Sequence, residues 1–194
     1  MNSNEAQSRK PFDKWNGLAL HSQFVYNGNS SKKLCTVTYD VTISATGGNI
    51  MLTIRCVEPE DKSFWFTLDK HISEKEFFRK VRDKTGYVLL QDTEPIGLLR
   101  YNLFWDNTPF CNLLYIAPAH QKKGLGKKLM LYWEDEMRAL GYEWIMTSTQ
   151  ADEDAQHFYR KMGYQDAGAL IINIPPAAQP AELFFIKAIE TRQS

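Results

Sequence analysis

Between Tyr115 and Lys128 the chain reads Tyr-Ile-Ala-Pro-Ala-His-Gln-Lys-Lys-Gly-Leu-Gly-Lys-Lys. An apolar strand pattern ends there, a short loop follows, and a helical pattern opens at Gly124 and Gly126 among Lys122, Lys123, Lys127 and Lys128. The first turn of a helix has N–H groups without intrahelical acceptors and the positive end of the macrodipole, and glycine lets a ligand approach the main chain. Phosphate or pyrophosphate is the ligand that such a segment predicts. Spacing excludes two other glycine loops. A G-x-x-x-x-G-K-[ST] loop fails because a single residue separates Gly124 from Gly126 and Lys128 stands where Ser or Thr belongs. A dinucleotide fingerprint needs a third glycine where Leu129 stands. An ordinary helix start with solvated lysines is the plain alternative.

Several elements must position this loop. Upstream, Ser73-Glu74-Lys75-Glu76 is a capping box, with Ile72 and Phe77 spaced as a hydrophobic staple, so a helix is predicted to run to about Lys84. Strand patterns follow over Tyr87–Leu90, Ile96–Trp105 and Phe110–Ile116, separated by turns at Asp92–Pro95 and Asp106–Pro109. Downstream, Leu125, Leu129, Trp133 and Met137 recur every fourth residue, the stripe of a long helix closed by Gly141. A strand at Glu143–Ser148, a helix at Asp152–Met162 and β segments at Ala167–Ile174 and Leu183–Ile189 complete the pattern. An antiparallel meander followed by strand-helix-strand-helix-strands predicts a mixed α/β (α+β) sheet. Residues 1–50 read as an N-terminal extension of a domain spanning 51–194, and Met51 as a candidate second start of translation. The extension holds an alternating strand at Leu34–Ser44, a turn at Thr46–Asn49, and the lead-in to a strand at Met51–Val57.

Composition bounds the partners. With 194 residues, 43 % hydrophobic and 24 % charged, the chain has the make-up of one globular domain. Its 23 Lys plus Arg balance 23 Asp plus Glu, which removes the electrostatic warrant for nucleic acid or an anionic membrane as main partner. Cys35, Cys56 and Cys111 have neither disulfide-framework nor zinc spacing, so no metal is implied. There is no membrane-length apolar run and no secretory signal pattern, and the expected location is the cytoplasm.

The segment Gln121-Lys122-Lys123-Gly124-Leu125-Gly126 resembles the Q/R-x-x-G-x-G/A signature of the GNAT superfamily of N-acetyltransferases. The lead-in Leu113–His120 is similar to that family's strand and acyl-CoA loop, and Asp152–Tyr164 resembles its closing N-x-x-A-x-x-F/L-Y-x-K-x-G-F/Y motif. The likeness extends over Met51–Ile189. It implies the GNAT fold and acetyl-CoA as co-substrate, with acetyl transferred by direct attack of a primary amine in a ternary complex. The acceptor would be a small molecule, or a peptide or protein amine. The resemblance implies that main-chain amides from Gln121 through Lys122, Lys123, Gly124, Leu125 and Gly126, with adjacent Lys127, bind the pyrophosphate. The strands Phe110–Ile116 and Glu143–Ser148 would splay, leaving Leu114, Tyr115 and Ile116 to pair with the pantetheine arm. Tyr159 would protonate the departing thiolate. Its ordinary pKa near 10 keeps it protonated at neutral pH, and a core-facing aromatic anchor is the plain reading of the same residue.

Two departures stand out. Asp152 occupies a cofactor-contacting position that is usually Asn, and Thr147 a position where some members carry a glutamate base. Ser148, Thr149 and Gln150 supply no base either, so water or an already neutral amine must serve. That gap keeps a non-catalytic acyl-CoA-binding or regulatory module open as a second reading, and a phosphate-ligand domain unrelated to acyl transfer as a third. His120 and His157 read as surface residues, and Cys111 as a small buried one. The acidic run Asp152–Asp154 reads as favourable charge at a helix start, or as a lure for a cationic amine. Trp65, Phe66, Phe104 and Trp105 are candidates for an acceptor wall. Exposed late strands favour a homodimer.

Overall fold

The computed structural model describes residues 22–23, 36–42 and 49–189. Strands β1 (Ser22–Gln23), β2 (Thr36–Thr42) and β3 (Asn49–Cys56) come first, then helices α1 (Lys62–Leu68) and α2 (Glu74–Asp83). Next are β4 (Gly86–Gln91), β5 (Glu94–Phe104) and β6 (Thr108–Ile116), then α3 (Leu125–Ala139) and β7 (Trp144–Gln150). Helix α4 (Ala155–Lys161) and strands β8 (Gln165–Leu170) and β9 (Glu182–Ala188) complete the order. One nine-stranded sheet runs β1-β2-β3-β4-β5-β6-β7-β9-β8, with β6 and β7 parallel and the other neighbours antiparallel. The mixed sheet expected from the sequence is therefore present. β2 pairs with β3 from Thr36↔Arg55 to Thr42↔Asn49. The rest of the Leu34–Ser44 strand pattern, most of the turn at Thr46–Asn49 and residues 1–21 lie outside the described residues.

Helices cover the two faces unequally. On one face α3 buries Leu125, Leu129, Trp133 and Met137 against Leu99, Tyr101 and Ile145, and α4 adds Tyr159. The predicted four-residue stripe is thus the buried one, as a 3.6-residue period requires. Glu134 on α3, 2 % exposed, accepts from the Tyr164 hydroxyl (3.0 Å) and from Lys187 Nζ on β9 (2.6 Å), which ties the helix to the sheet. On the other face α1 and α2 bury Trp65 and Phe77 against Val88 and Leu98, the two rings meeting edge-on at 5.6 Å.

Helix α1 has no counterpart in the sequence reading. Its N-cap Asp61 makes no side-chain cap, and its run Lys-Ser-Phe-Trp-Phe-Thr-Leu lacks a helical stripe. Tertiary contacts hold it instead. Trp65 Nε1 donates to Asp69 Oδ2 (3.2 Å), and Arg100 Nε reaches the same oxygen at 2.7 Å inside the fold. Boundaries shift for similar reasons. β8 ends at Leu170, short of the predicted Ile174, because its partner β9 begins at Glu182, the last rung being Leu170↔Glu182. Helix α4 starts at Ala155 rather than Asp152, since Glu153 N–H donates back to Gln150 O in a turn.

Candidate active site

Strands β6 and β7 pair at Phe110↔Met146 and Cys111↔Thr147 and nowhere further, although β6 runs on to Ile116 and β7 to Gln150. The register of β6 against β5 slips between Arg100 and Tyr101, leaving Asn112 as an extra residue. A β-bulge bends its strand and sharpens the local twist. The bulge falls one residue beyond the last β6–β7 rung, which accounts for the divergence. From Leu113 to Ile116, β6 is hydrogen-bonded to β5 on one side and open on the side facing β7. Leu114 and Ile116 turn toward α3, while Tyr115 is exposed.

The loop beyond this edge is built from its own main chain. His120 N–H donates to Ala117 O (2.8 Å), and the Gln121 side chain donates to Ile116 O (2.8 Å) at the end of β6. Lys122 (φ 59°) and Gly124 (φ 75°) then adopt left-handed conformations and swing the chain into α3. Gly124 is the N-cap and makes no side-chain cap. The N–H groups of Lys122, Lys123, Gly124, Leu125 and Gly126 donate to no main-chain acceptor. A Cβ on Gly124 would meet nothing within 4 Å, so the space beside this glycine is open. A Cβ on Gly126 would lie 3.8 Å from Ile116 Cγ1 and 3.9 Å from Leu114 Cδ2, so the helix start packs on the open edge of β6. Lys122 and Lys123 are exposed, with Lys123 Nζ donating to Ala119 O (3.0 Å). Lys127 is half-buried, and burial lowers the pKa of Lys128.

Tyr159 approaches the divergence from α4. Its ring packs against Tyr164 and Phe185, both at 5.7 Å. It packs on Phe185, the β9 partner of Thr147, and Thr147 Oγ1 donates to Cys111 O (3.0 Å). The phenol therefore stands at the last rung before the strands separate. Burial pushes its pKa above the ordinary value, so it keeps its proton.

A diverging parallel pair, an uncapped helix start on its open edge and a protonated phenol at its apex form one constellation. The model of the acetyltransferase (GNAT) family matches residues 53–164, more than half of the chain. The chain belongs to the GNAT acetyltransferase family. No curated protein matches it in sequence. Among solved structures it is similar to Ard1 from Thermoplasma volcanium, with a TM-score of 0.64 and 14 % identity over 72 % of this chain and 98 % of that one. The ribosomal-protein-S18-alanine N-acetyltransferase from Escherichia coli gives 0.60 and 17 % identity over 72 % and 94 %. Arabidopsis thaliana Naa50, in complex with the bisubstrate analogue CoA-Ac-MVNAL, gives 0.58 and 15 % over 70 % and 97 %. These likenesses concern the fold.

On this GNAT fold the remaining candidates separate. Cys111 is buried and its thiol is pushed up to about 12 by burial, which leaves no thiolate for covalent chemistry at neutral pH. His120 is half-buried with Nδ1 enclosed and unpartnered, whereas His157 is exposed on α4. His157 lines a hollow of about 500 Å³ with Asp154, Phe158 and Lys161. Asp152 lies exposed in the turn between β7 and α4. Trp65 is fully buried behind α1 and forms no acceptor wall; Phe66 is half-buried against Phe77. Glu153, read from the sequence only as part of the acidic run Asp152–Asp154, has a carboxylate that accepts from the Thr149 hydroxyl and from Gln150 N–H (3.4 Å) at the end of β7. A carboxylate three residues past a strand end was the available signal, and it merged with the acidic run around it.

Proposed function

We propose that this chain transfers the acetyl group of acetyl-CoA to a primary amine by direct attack in a ternary complex. The observation that carries the reading is the uncapped start of α3 lying on the open edge of β6, with Tyr159 at the point where β6 and β7 part. The donors from Lys122 to Gly126 suit a diphosphate, and Leu114, Tyr115 and Ile116 offer main-chain groups to an extended pantetheine arm. Gln121 acts by holding the end of β6 in place. Similar solved structures include N-acetylglutamate synthase from Neisseria gonorrhoeae complexed with coenzyme A and N-acetyl-glutamate, and Naa50 with the bisubstrate analogue CoA-Ac-MVNAL, which fits a cleft serving coenzyme and amine together.

In the reaction the amine nitrogen bonds to the acetyl carbon and the carbon–sulfur bond breaks. The amine enters in its neutral form and its nitrogen sheds one proton to water as the amide forms, while Tyr159 gives its proton to the thiolate and is reprotonated by solvent. Burial keeps the phenol protonated over the working pH range and makes it a weaker acid than a free phenol. Tyr159→Phe removes the acid without removing the ring. Turnover is expected to fall on the order of 100-fold with acetyl-CoA affinity unchanged, read as thiol release and by calorimetry. Unchanged turnover removes Tyr159 from the mechanism.

Thr147 favours a second reading. It stands where a base is found in some relatives and is committed to Cys111 O, so a non-catalytic acyl-CoA-binding module is supported by that residue. Such a module would bind acetyl-CoA and release no thiol with any amine.

A further inference from the structure

One part of the sheet is left without a helix-built core. Phe104, Phe110 and Phe184 touch one another, with ring centroids 5.6, 5.9 and 6.4 Å apart, and they belong to neither of the two cores. Trp105 extends the group, 4.6 Å from Phe104 and 71 % exposed. Side chains two apart along a strand share a face. Phe104 thus lies on the Leu98 and Arg100 face of β5, the face that carries α1, and beyond that helix. On β7, Thr147 points with Tyr159 toward α4, so Ser148 and Gln150 point to the opposite, aromatic face. Across β9 they are opposite Phe184 and Glu182. Ser148 is the first residue of β7 beyond the last rung with β6.

The face therefore changes character along a short line. Aromatic rings lead up to Ser148, at the apex of the divergence. One step further stands the half-buried Glu182, which accepts from Gln179 Nε2 (3.4 Å) and pairs with no lysine or arginine among the described residues. Phe184 and Glu182 are two strand residues apart, about 7 Å. An apolar floor and a carboxylate at that separation complement a molecule with a ring at one end and an ammonium at the other.

Resting on the transferase reading above, we propose that the acceptor is a small primary amine with an aromatic group within about 7 Å of its nitrogen. Its ring lies on Phe104 and Phe184, with the buried Phe110 behind them, and its amine sits by Ser148 facing Glu182. A polyamine would set charge over the floor, and a short aliphatic amine would leave the floor bare. Glu182 and the rings are thus specificity-determining groups; Tyr159 on the opposite face remains the acid.

The test uses the full chain with saturating acetyl-CoA, whose binding is measured separately by calorimetry. The probes are 2-phenylethylamine, n-propylamine, spermidine and a peptide with an N-terminal phenylalanine. Phenylethylamine should show kcat/KM at least tenfold above each of the other three. Phe184→Ala should raise its KM about tenfold and bring its kcat/KM down toward that of propylamine, with acetyl-CoA affinity kept within twofold. Trp105→Ala, at an exposed site, should raise the same KM severalfold and serves if Phe184→Ala does not fold. Preference for spermidine, propylamine or the peptide overturns the proposal. So does a Phe184→Ala variant with unchanged KM, or one that merely converts a dimer to monomer, which would make this face a contact between copies. Where no probe is turned over, Trp105 fluorescence is titrated with phenylethylamine. A saturable change absent from Trp105→Phe supports the proposal, and no saturable change overturns it. Failure of acetyl-CoA to bind sinks the transferase reading and this proposal together; binding without aromatic preference sinks this proposal alone.

Discussion

Helices α2 and α3 begin in opposite ways. At α2 the Ser73 hydroxyl accepts from Glu76 N–H (3.3 Å), and Glu74 and Glu76 place negative charge in the first turn, against the positive end of the dipole. At α3 the N-cap is a left-handed glycine with no side chain, the first turn carries no acid, and lysines surround it. One helix satisfies its own N-terminus. The other leaves donors and positive charge facing outward, an arrangement that costs stability unless an anion from outside completes it. Both helices pack on the same sheet, so the difference lies in a few residues at each start.

The strongest way to break the contrast is to give α3 an acid of its own. Gly124→Asp keeps a residue type that tolerates the left-handed region and places a carboxylate among the free N–H groups. Acetyl-CoA affinity is expected to fall on the order of 100-fold by calorimetry, from charge repulsion of about 3 kcal/mol. Unaltered affinity would move the diphosphate elsewhere. Nearly as large is the effect of removing the anion from the ligand. At 100 times its dissociation constant, CoA should stabilise the fold by about 2.7 kcal/mol and raise Tm by about 5–10 °C, whereas pantetheine at equal concentration should give much less. Equal shifts would place the affinity in the pantetheine arm instead.

The contrast also explains what could be read from the residues alone. The Ser73 box and the stripe Leu125, Leu129, Trp133 and Met137 are local signals, and both helices appear where those signals lie. The loop Gln121–Gly126 was legible because an uncapped glycine start is itself local. The divergence of β6 and β7 was reached only through the family resemblance, since the Asn112 bulge that produces it is a matter of register against β5. Helix α1 was invisible because a buried carboxylate, Asp69, and its partners Arg100 and Trp65 hold it from 31 and 4 residues away. The contact of Phe184 with Phe104 and Phe110 was hidden for the same reason, since strand pairing brings together residues that no spacing rule connects. Glu153, by contrast, reaches its neighbours Thr149 and Gln150 locally and was obscured by the acidic run.

Smaller effects sharpen the comparison from the side of α2. Ser73→Ala should cost about 1 kcal/mol in urea unfolding, with acetyl-CoA affinity unchanged, because that cap serves only its own helix. A loss of coenzyme affinity would mean that the two helix starts are coupled through the sheet.

The smallest expected effect concerns the cation that α2 turns inward. Lys80 is 6 % exposed, and Nζ donates to Tyr101 O (2.9 Å) and to the Asn102 side chain. Burial, then the nearby Arg100 charge, bring its pKa down from 10.5 to about 8, against the weaker opposing pull of Glu76, Asp83 and Asp69. A lowered lysine pKa means that the unfolded chain binds more protons between those two values. Stability from this group should therefore rise as pH increases from about 8 to 10.5 and be flat below about 8. Lys80→Met removes the group, so the difference in unfolding free energy between wild type and variant should change with pH across that window and be constant beneath it. A difference that is constant throughout would mean that Lys80 keeps its ordinary affinity for a proton. The inward cation of α2 would then be as well solvated as the exposed lysines before α3, and the contrast would rest on the caps alone.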